Sequence, residues 1–527
     1  MAGSQTPASS DDRADAVGVG RPVWFVAGLA AIVVATFVVR APTFGLPLDQ
    51  DCSVYSYVAS NWSEGGVPYR DVWDHKPPMI YLVYRGLFTV MPSGGEGLNT
   101  ALRVSGGGCD ALTAVLLALV AARLFGRGAG LAAGMLYAVF EGAVGVQLEA
   151  FQAERLTVLF TVAGVWAAVA YADSRRYWQV AASGLLFGLA IATKQIAAPV
   201  GIAVWAWLTW DAFRAEGRGA VRRVVVHSLL LAVGAVLPWA LFAAYFAAQG
   251  ALADFWACTY SYNVLYAKAH RKGGLVEGVV RLIKTKLFDH LFLWVLAAVG
   301  TVAALVRSRE RRGGLLVAAW TAVAFLALVL PGQFAYYYYI PTLAPLAVAS
   351  GVALMGLWTL ARGGGVRLAA AGVCGLVLLA MLAFAGKRAA GVHTMVTDPQ
   401  RTNMVLPQVA RHIAESTKPD ERFYVWGSRA QLYVLSGRRN VCRYLYNYSY
   451  QVALDKAFHF RQAERDETIA ALREHRPPCI VTTETKTLEG FPELKQHLAA
   501  HYTLERTWEA KPYPLSVYRR TPSQGQE

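Results

Sequence analysis

Charge is scarce in this sequence: Asp, Glu, Lys and Arg make up 16% of 527 residues against 55% for the hydrophobic types, and mean hydropathy is +0.35. That shortage excludes an ordinary soluble chain and a long disordered one, since both need far more polar surface. Cysteine is also scarce. The six are scattered, with no C-x-x-C pair to suggest zinc or dithiol redox chemistry and no spacing that reads as a disulfide framework. Cys109 and Cys374 fall in apolar runs, whereas Cys52, Cys258, Cys442 and Cys479 fall in the segments expected on the outer side, where a disulfide is chemically permitted; a Cys442–Cys479 bridge is conceivable but no pattern supports it. Lysine is nearly missing from the first half, where residues 1–267 hold fifteen arginines and two lysines, Lys76 and Lys194. The last 140 or so residues lack a Gly-rich phosphate loop, a nucleophile motif and metal spacing, and "REHRPP" has one histidine with no second ligand at helical spacing.

What the chain does have is long apolar runs, close to the roughly 20 residues that cross hydrocarbon. Eleven occur, give or take one or two: Val23–Val39, Val104–Ala122, Gly128–Val146, Leu156–Ala172, Tyr177–Thr193, Gln195–Trp210, Val224–Ala248, Leu291–Val306, Gly313–Leu330, Tyr337–Ala361 and Leu368–Gly386. They predict an α-helical polytopic membrane protein. With residues 1–22 placed in the cytoplasm as a disordered tail and the first span retained, the short loops on that side hold Arg123, Arg127, Arg175, Arg176, Arg214, Arg218, Arg222, Arg223, Arg307, Arg309, Arg311, Arg312, Arg362 and Arg367, as the positive-inside rule requires. Arg40, Arg103 and Arg155 fall at outer ends and run against it. The net charge of +15 is therefore mostly topology, and no nucleic-acid partner is needed to explain it.

Residues 23–386 form the predicted membrane domain, with outer loops at 41–103 and 250–290. Residues 387–527 have ordinary soluble composition: "RFYVWG", "PPCIVTTET", "YTLERTWE" and "YPLSVYRR" read as strands, and "TNMVLPQVARHIAES" and "FRQAERDETIAALREH" as amphipathic helices. They predict a small extracytoplasmic α/β domain.

The chemistry-bearing residues gather on that outer side. In the first loop, Val54–Trp62 predicts a helix lying along the membrane surface, with Asp49 and Asp51 at its N-terminal end as caps or as reactive carboxylates. Next comes "DVWDHKPP", Asp71–Pro78, where two prolines stiffen the turn that aims Lys76. Where plain positive charge suffices this chain uses Arg, so Lys76 and Lys194 read as compact point charges for a phosphate oxygen. Asp74, His75, Glu149 and Glu154 lie on the same side as further polar candidates. Asp110 and Glu141 sit inside runs, where charge is costly, and predict interhelical hydrogen bonding. Lys268 and Arg271 in the second outer loop suit capture of a phosphate at the outer leaflet, or contact with anionic membrane lipids. Tyr336–Tyr339 suit an interfacial aromatic belt or hydroxyl contacts to a headgroup, Tyr338 among them.

In order along most of the chain, Asp51 with "VYSYVA", "GGVPYRDVWDHKPP", Glu154, "IATKQIAAP", "YYYYIP" and "FYVWG…LYVLSGRR" resemble polytopic glycosyltransferases of the GT-C fold, in the group of protein O-mannosyltransferases and lipid A aminoarabinose transferases. The resemblance implies transfer of a sugar, with inversion, from a polyprenyl-phosphate donor to a glycan, lipid or protein acceptor on the outer face of a bacterial cell membrane. It implies Asp51 as general base, Asp49, Asp74, His75 and Glu154 in support, and Lys76, Lys194, Lys268, Arg271 and Tyr338 around the donor phosphate. Two positions depart from the pattern. Many relatives carry an acid directly after the aspartate, where this chain has Cys52, and the aminoarabinose transferases carry Glu where His75 stands. No cofactor is called for, and a divalent metal is possible but unsupported by any residue pattern. The competing reading is a multi-span transporter or flippase for a lipid-linked or anionic substrate, although the ionisable residues cluster at span ends rather than at the midplane such carriers use.

Overall fold

A computed structural model describes residues 23–141, 150–270, 275–282, 288–329, 336–362, 367–398, 401–446, 458–483 and 485–522. All eleven apolar runs fall on helices, in part where 142–146 and 330 lie outside the described residues. Six helical segments among the described residues are long and apolar enough to cross a membrane: Val23–Thr43, Gly97–Phe125, Ala153–Ser174, Gln195–Ala248, Arg311–Val329 and Ile340–Arg362. Gln195–Ala248 takes in two of the expected runs, and Tyr177–Thr193 and Leu291–Val306 are apolar but shorter, so among the described residues nine of the eleven expected runs lie in these helices and the expected count of eleven spans is not reached.

Small residues let the helices approach closely. Gly184 and Gly188 of Tyr177–Thr193 face Val221–Ala248, where an added Cβ would come within 2.7 Å of the Leu231 and Ala235 carbonyl oxygens. The three arginines that ran against the charge rule are structural. Arg40 binds Asp110 at 2.5 Å and Glu141 at 3.2 Å, and Arg155 contacts both acids, giving two cations and two anions almost fully buried inside the bundle. Arg103 is buried too and donates to the carbonyls of Leu46 (2.8 Å) and Pro47 (2.6 Å), fixing the chain that leads to Asp49. Of the loop arginines, Arg175 and Arg312 both bind Asp211 and Arg123 binds Asp173.

The expected boundary at Lys387 falls inside the helix Arg367–Thr397, and soluble-type structure begins with the helix Thr402–Glu415. The strands are β1 (Arg422–Trp426), β2 (Arg439–Asn440), β3 (Cys479–Thr482), β4 (Tyr502–Trp508) and β5 (Leu515–Arg520), in sheet order β2-β1-β3-β5-β4. β1 pairs in parallel with β2 and β3, while β5 runs antiparallel to β3 and β4. Residues two apart share a face, so Tyr424, Trp426 and Ile480 enter one core beside Leu494 and Leu498. Phe423, Val425, Cys479 and Val481 enter the other, which runs without a break into Tyr55, Tyr57, Tyr81 and Phe246. The C-terminal domain thus shares its core with the first long loop.

That shared core corrects the expectation for the loop helix. Gln50–Ser63 buries Cys52 to Ala59 without interruption, together with Trp62, beneath the C-terminal domain, so it has no broad apolar face left for the membrane surface. Cys442 and Cys479 are separate free thiols.

Candidate active site

The turn 67–78 is built to hold Lys76. Asp71 closes it, accepting from the Val67 amide at 2.7 Å, and Tyr69 takes the left-handed backbone (φ 72°) that lets its amide donate to the Val72 carbonyl at 2.8 Å. The Tyr69 hydroxyl then donates to the Lys76 carbonyl at 2.8 Å, while the Asn263 amide donates to the His75 carbonyl at 2.8 Å. Pro78 starts the helix Met79–Leu87, where a missing amide costs nothing.

Asp74 is the anchor. Tyr81 donates to one of its oxygens at 2.5 Å, and Tyr446 (2.6 Å) and the His75 amide (2.8 Å) donate to the other. Burial would push this carboxyl up, but Lys76, His75 and these donors outweigh it and hold it well below the usual carboxylate range. Burial and the Lys76 charge push the His75 imidazole down, which favours its neutral form. For Lys76 burial works against the ammonium, yet Asp51, Asp74 and Glu154 hold it above its ordinary value, so it carries a full charge.

Lys76 points into a cavity of about 340 Å³. Its Nζ lies 3.9 Å from Asp51 Oδ2, with 16% of the lysine side chain and 27% of the aspartate side chain exposed. Lys194 enters from the end of Tyr177–Thr193, ion-paired with Glu154 and 4.3 Å over the Tyr338 ring. Ala324, Ala327, Leu328 and Pro341 form an apolar wall from the membrane helices, and Ser428 and Tyr446 close the cavity from the C-terminal domain. A basic pair beside one part-exposed carboxylate, against an apolar wall, can take a proton and steady a departing anion whose tail lies in lipid.

Asp49 is different. It caps Gln50–Ser63, accepting from the Cys52 amide at 2.9 Å, is 2% exposed and does not line the cavity. Burial, helped by the Asp51 charge, pushes its carboxyl up to about 6.

Against known sequences and folds, residues 75–242 match the sequence model of a family described as dolichyl-phosphate-mannose-protein mannosyltransferase. No curated protein matches the chain. Among solved structures, ArnT from Cupriavidus metallidurans bound to undecaprenyl phosphate is similar at TM-score 0.60 and 15% identity, over 96% of this chain and 99% of that one. The apo oligosaccharyltransferase of Archaeoglobus fulgidus is similar at TM-score 0.58 and 12% identity, over 96% and 75%. The oligosaccharyltransferase AglB of the same organism, in complex with an inhibitory peptide and a dolichol-phosphate, is similar at TM-score 0.53 and 12% identity, over 95% and 74%. This is a membrane protein with the GT-C fold.

Within this fold the cavity brings together Asp51, Asp74, His75, Lys76, Lys194 and Tyr338, and Glu154 joins through Lys194. Lys268 is exposed on the helix Tyr262–His270 and does not line the cavity. Arg271 and Glu149 lie outside the described residues, as do the side chains of Tyr336 and Tyr337. Gln50, Tyr55, Gln195, Asn263, Tyr266, Ser428 and Tyr446 line the cavity although sequence reasoning did not single them out. Tyr446 had one readable signal, the period-two tyrosines of "YLYNYSY". Among the described residues no three His, Cys, Asp or Glu side chains converge as metal ligands would.

Proposed function

We propose that this protein transfers a sugar, with inversion, from a polyprenyl-phosphate donor to a lipid, glycan or protein acceptor on the extracytoplasmic face of a cell membrane. The observation that carries this reading is the Asp51–Lys76 pair, 3.9 Å apart in a cavity walled by membrane-helix residues. Asp51 takes the proton of the acceptor hydroxyl as its oxygen bonds to the anomeric carbon. The bond from that carbon to the phosphate oxygen breaks, and its electron pair leaves with the phosphate. Lys76 and Lys194 offset the charge that develops there, and because the leaving group is a stable anion it needs little acid catalysis.

Three observations support the parts of this reading. The similar ArnT and AglB structures hold undecaprenyl phosphate and a dolichol-phosphate. The helix Ala153–Ser174 carries Glu154 at the cavity end and Asp173 at the end facing Arg123; at 1.5 Å per residue these lie about 30 Å apart, one hydrocarbon thickness. The arginine-rich loops therefore sit across the membrane from the cavity, which favours an extracytoplasmic site by the positive-inside rule.

The test is incubation of purified, detergent-solubilised protein with labelled polyprenyl-phosphate mannose, followed by separation of lipid-linked, transferred and free sugar. Transfer to an acceptor, or slow hydrolysis without one, is expected. A donor left intact would count against the reading, and movement of that donor across vesicles holding the reconstituted protein would instead make the protein a flippase.

A further inference from the structure

The membrane domain does not complete its own site. Trp73 and Tyr444 form a parallel bridge, with the Trp73 amide donating to the Arg443 carbonyl at 2.9 Å, so segment 443–446 lies beside the turn like a short strand. Residues two apart on such a segment share a face. Tyr444 accordingly meets the Trp73 ring at 6.1 Å, and Tyr446, two residues on, reaches beneath Asp74 and His75. Tyr446 is 8% exposed, its hydroxyl donates to Asp74 at 2.6 Å and lies 3.3 Å from His75 Nδ1, and it lines the cavity. The first turn of the Asp51 helix is tied to the same domain, since the Ala430 amide donates to Gln50 Oε1 at 2.9 Å.

We infer that Tyr446 is a positioning residue for sugar transfer, holding Asp74 and His75 so that Lys76 stays aligned with Asp51, and that the C-terminal domain is a working part of the active site. The inference rests on the function proposed above. Asp74 is gripped from both sides, by Tyr81 of the membrane domain and by Tyr446. Losing the Tyr81 hydroxyl frees one carboxylate oxygen, losing the Tyr446 hydroxyl leaves the other held by the His75 amide, and either loss loosens the grip that keeps the neighbouring lysine in place. A drift of about 1 Å in a charge-stabilising group is enough to slow catalysis about a hundredfold.

The experiment compares wild type with Tyr446→Phe and Tyr444→Phe, using polyprenyl-phosphate mannose as donor and undecaprenyl phosphate as binding probe. Tyr444→Phe keeps the ring on Trp73 and loses only a hydroxyl that contacts Arg443 and Glu467. For Tyr446→Phe the inference expects kcat to fall about tenfold or more, donor KM to change less than about twofold, and melting temperature and undecaprenyl-phosphate stoichiometry to match wild type. Tyr444→Phe should equal wild type. Equal kcat for Tyr446→Phe and wild type would overturn this inference alone, as would a loss shared by Tyr444→Phe or matched by a drop in binding stoichiometry. A wild type that never consumes the donor would overturn the functional reading as well.

Discussion

Replacing Lys76 with methionine removes one positive charge from the cavity while keeping side-chain length and the approach to the Tyr55 ring. At the 3.9 Å that separates Lys76 from Asp51, an effective dielectric of about 20 gives a charge–charge interaction of about 4 kcal/mol. A phosphate oxygen that approaches the ammonium as closely gains a similar amount, part of it already in the ground state. Loss of one preorganised charge-stabilising group therefore predicts a fall in kcat of about 10²–10³, about 2.7–4 kcal/mol of barrier. Arginine at this position keeps the charge but not the compact shape, so Lys76→Arg should recover only part of the rate. The assay is the initial rate of label transfer from polyprenyl-phosphate mannose at saturating donor, with melting temperature measured on the same samples. A folded Lys76→Met protein that transfers sugar within about threefold of wild type would refute the charge-stabilising role.

Asp49→Asn keeps a good helix cap and removes a carboxyl raised to about 6 by burial and the nearby Asp51 charge. The folded state favours the protonated form, so this group's contribution to stability is complete below its unfolded value near 3.8 and is lost as pH rises through about 6. Melting curves should show Asp49→Asn gaining on wild type at pH 7.5 relative to pH 4, and a constant difference across that range would count against it. Arg155→Met leaves Asp110 and Glu141 with Arg40 as their remaining cation among the four, and breaking such a buried group costs about 3–5 kcal/mol. Its melting temperature should fall sharply, and a wild-type melt would remove the quartet as a keystone. Glu154→Gln removes the ion pair of Lys194 and one of the charges that hold Lys76, so transfer should slow while folding is kept; full activity would show that the Glu154 charge is dispensable.

How much could be read from sequence depended on how far apart the partners lie. The helical character of the apolar runs, all the expected strands and the helices Thr402–Glu415 and Phe458–His475 came from local hydrophobic pattern, which is enough for elements that bury a continuous face. The scarcity of lysine singled out Lys76 and Lys194, and both enter the cavity. Arg40, Arg103 and Arg155 resisted reading because what they bind lies 14 to 101 residues away, and a lone charge at a span end looks the same whether its partner is water or a buried acid. Tyr446 meets Asp74 across 372 residues and Asn263 meets His75 across 188, so neither carries a local mark of its role. The surface-helix expectation for Val54–Trp62 failed for the same reason: an apolar face announces burial but not whether lipid or a second domain supplies it.

The most direct test of the central claim is transfer by Asp51→Asn and Asp49→Asn proteins, each measured alongside its binding of undecaprenyl phosphate. Asp51 lines the cavity beside Lys76, whereas Asp49 is a buried cap. The expected result is that Asp51→Asn binds undecaprenyl phosphate as wild type does but transfers sugar slower by about 10²–10⁴, while Asp49→Asn remains active. An active Asp51→Asn protein alongside an inactive, folded Asp49→Asn protein would contradict the assignment and move the base to the helix cap.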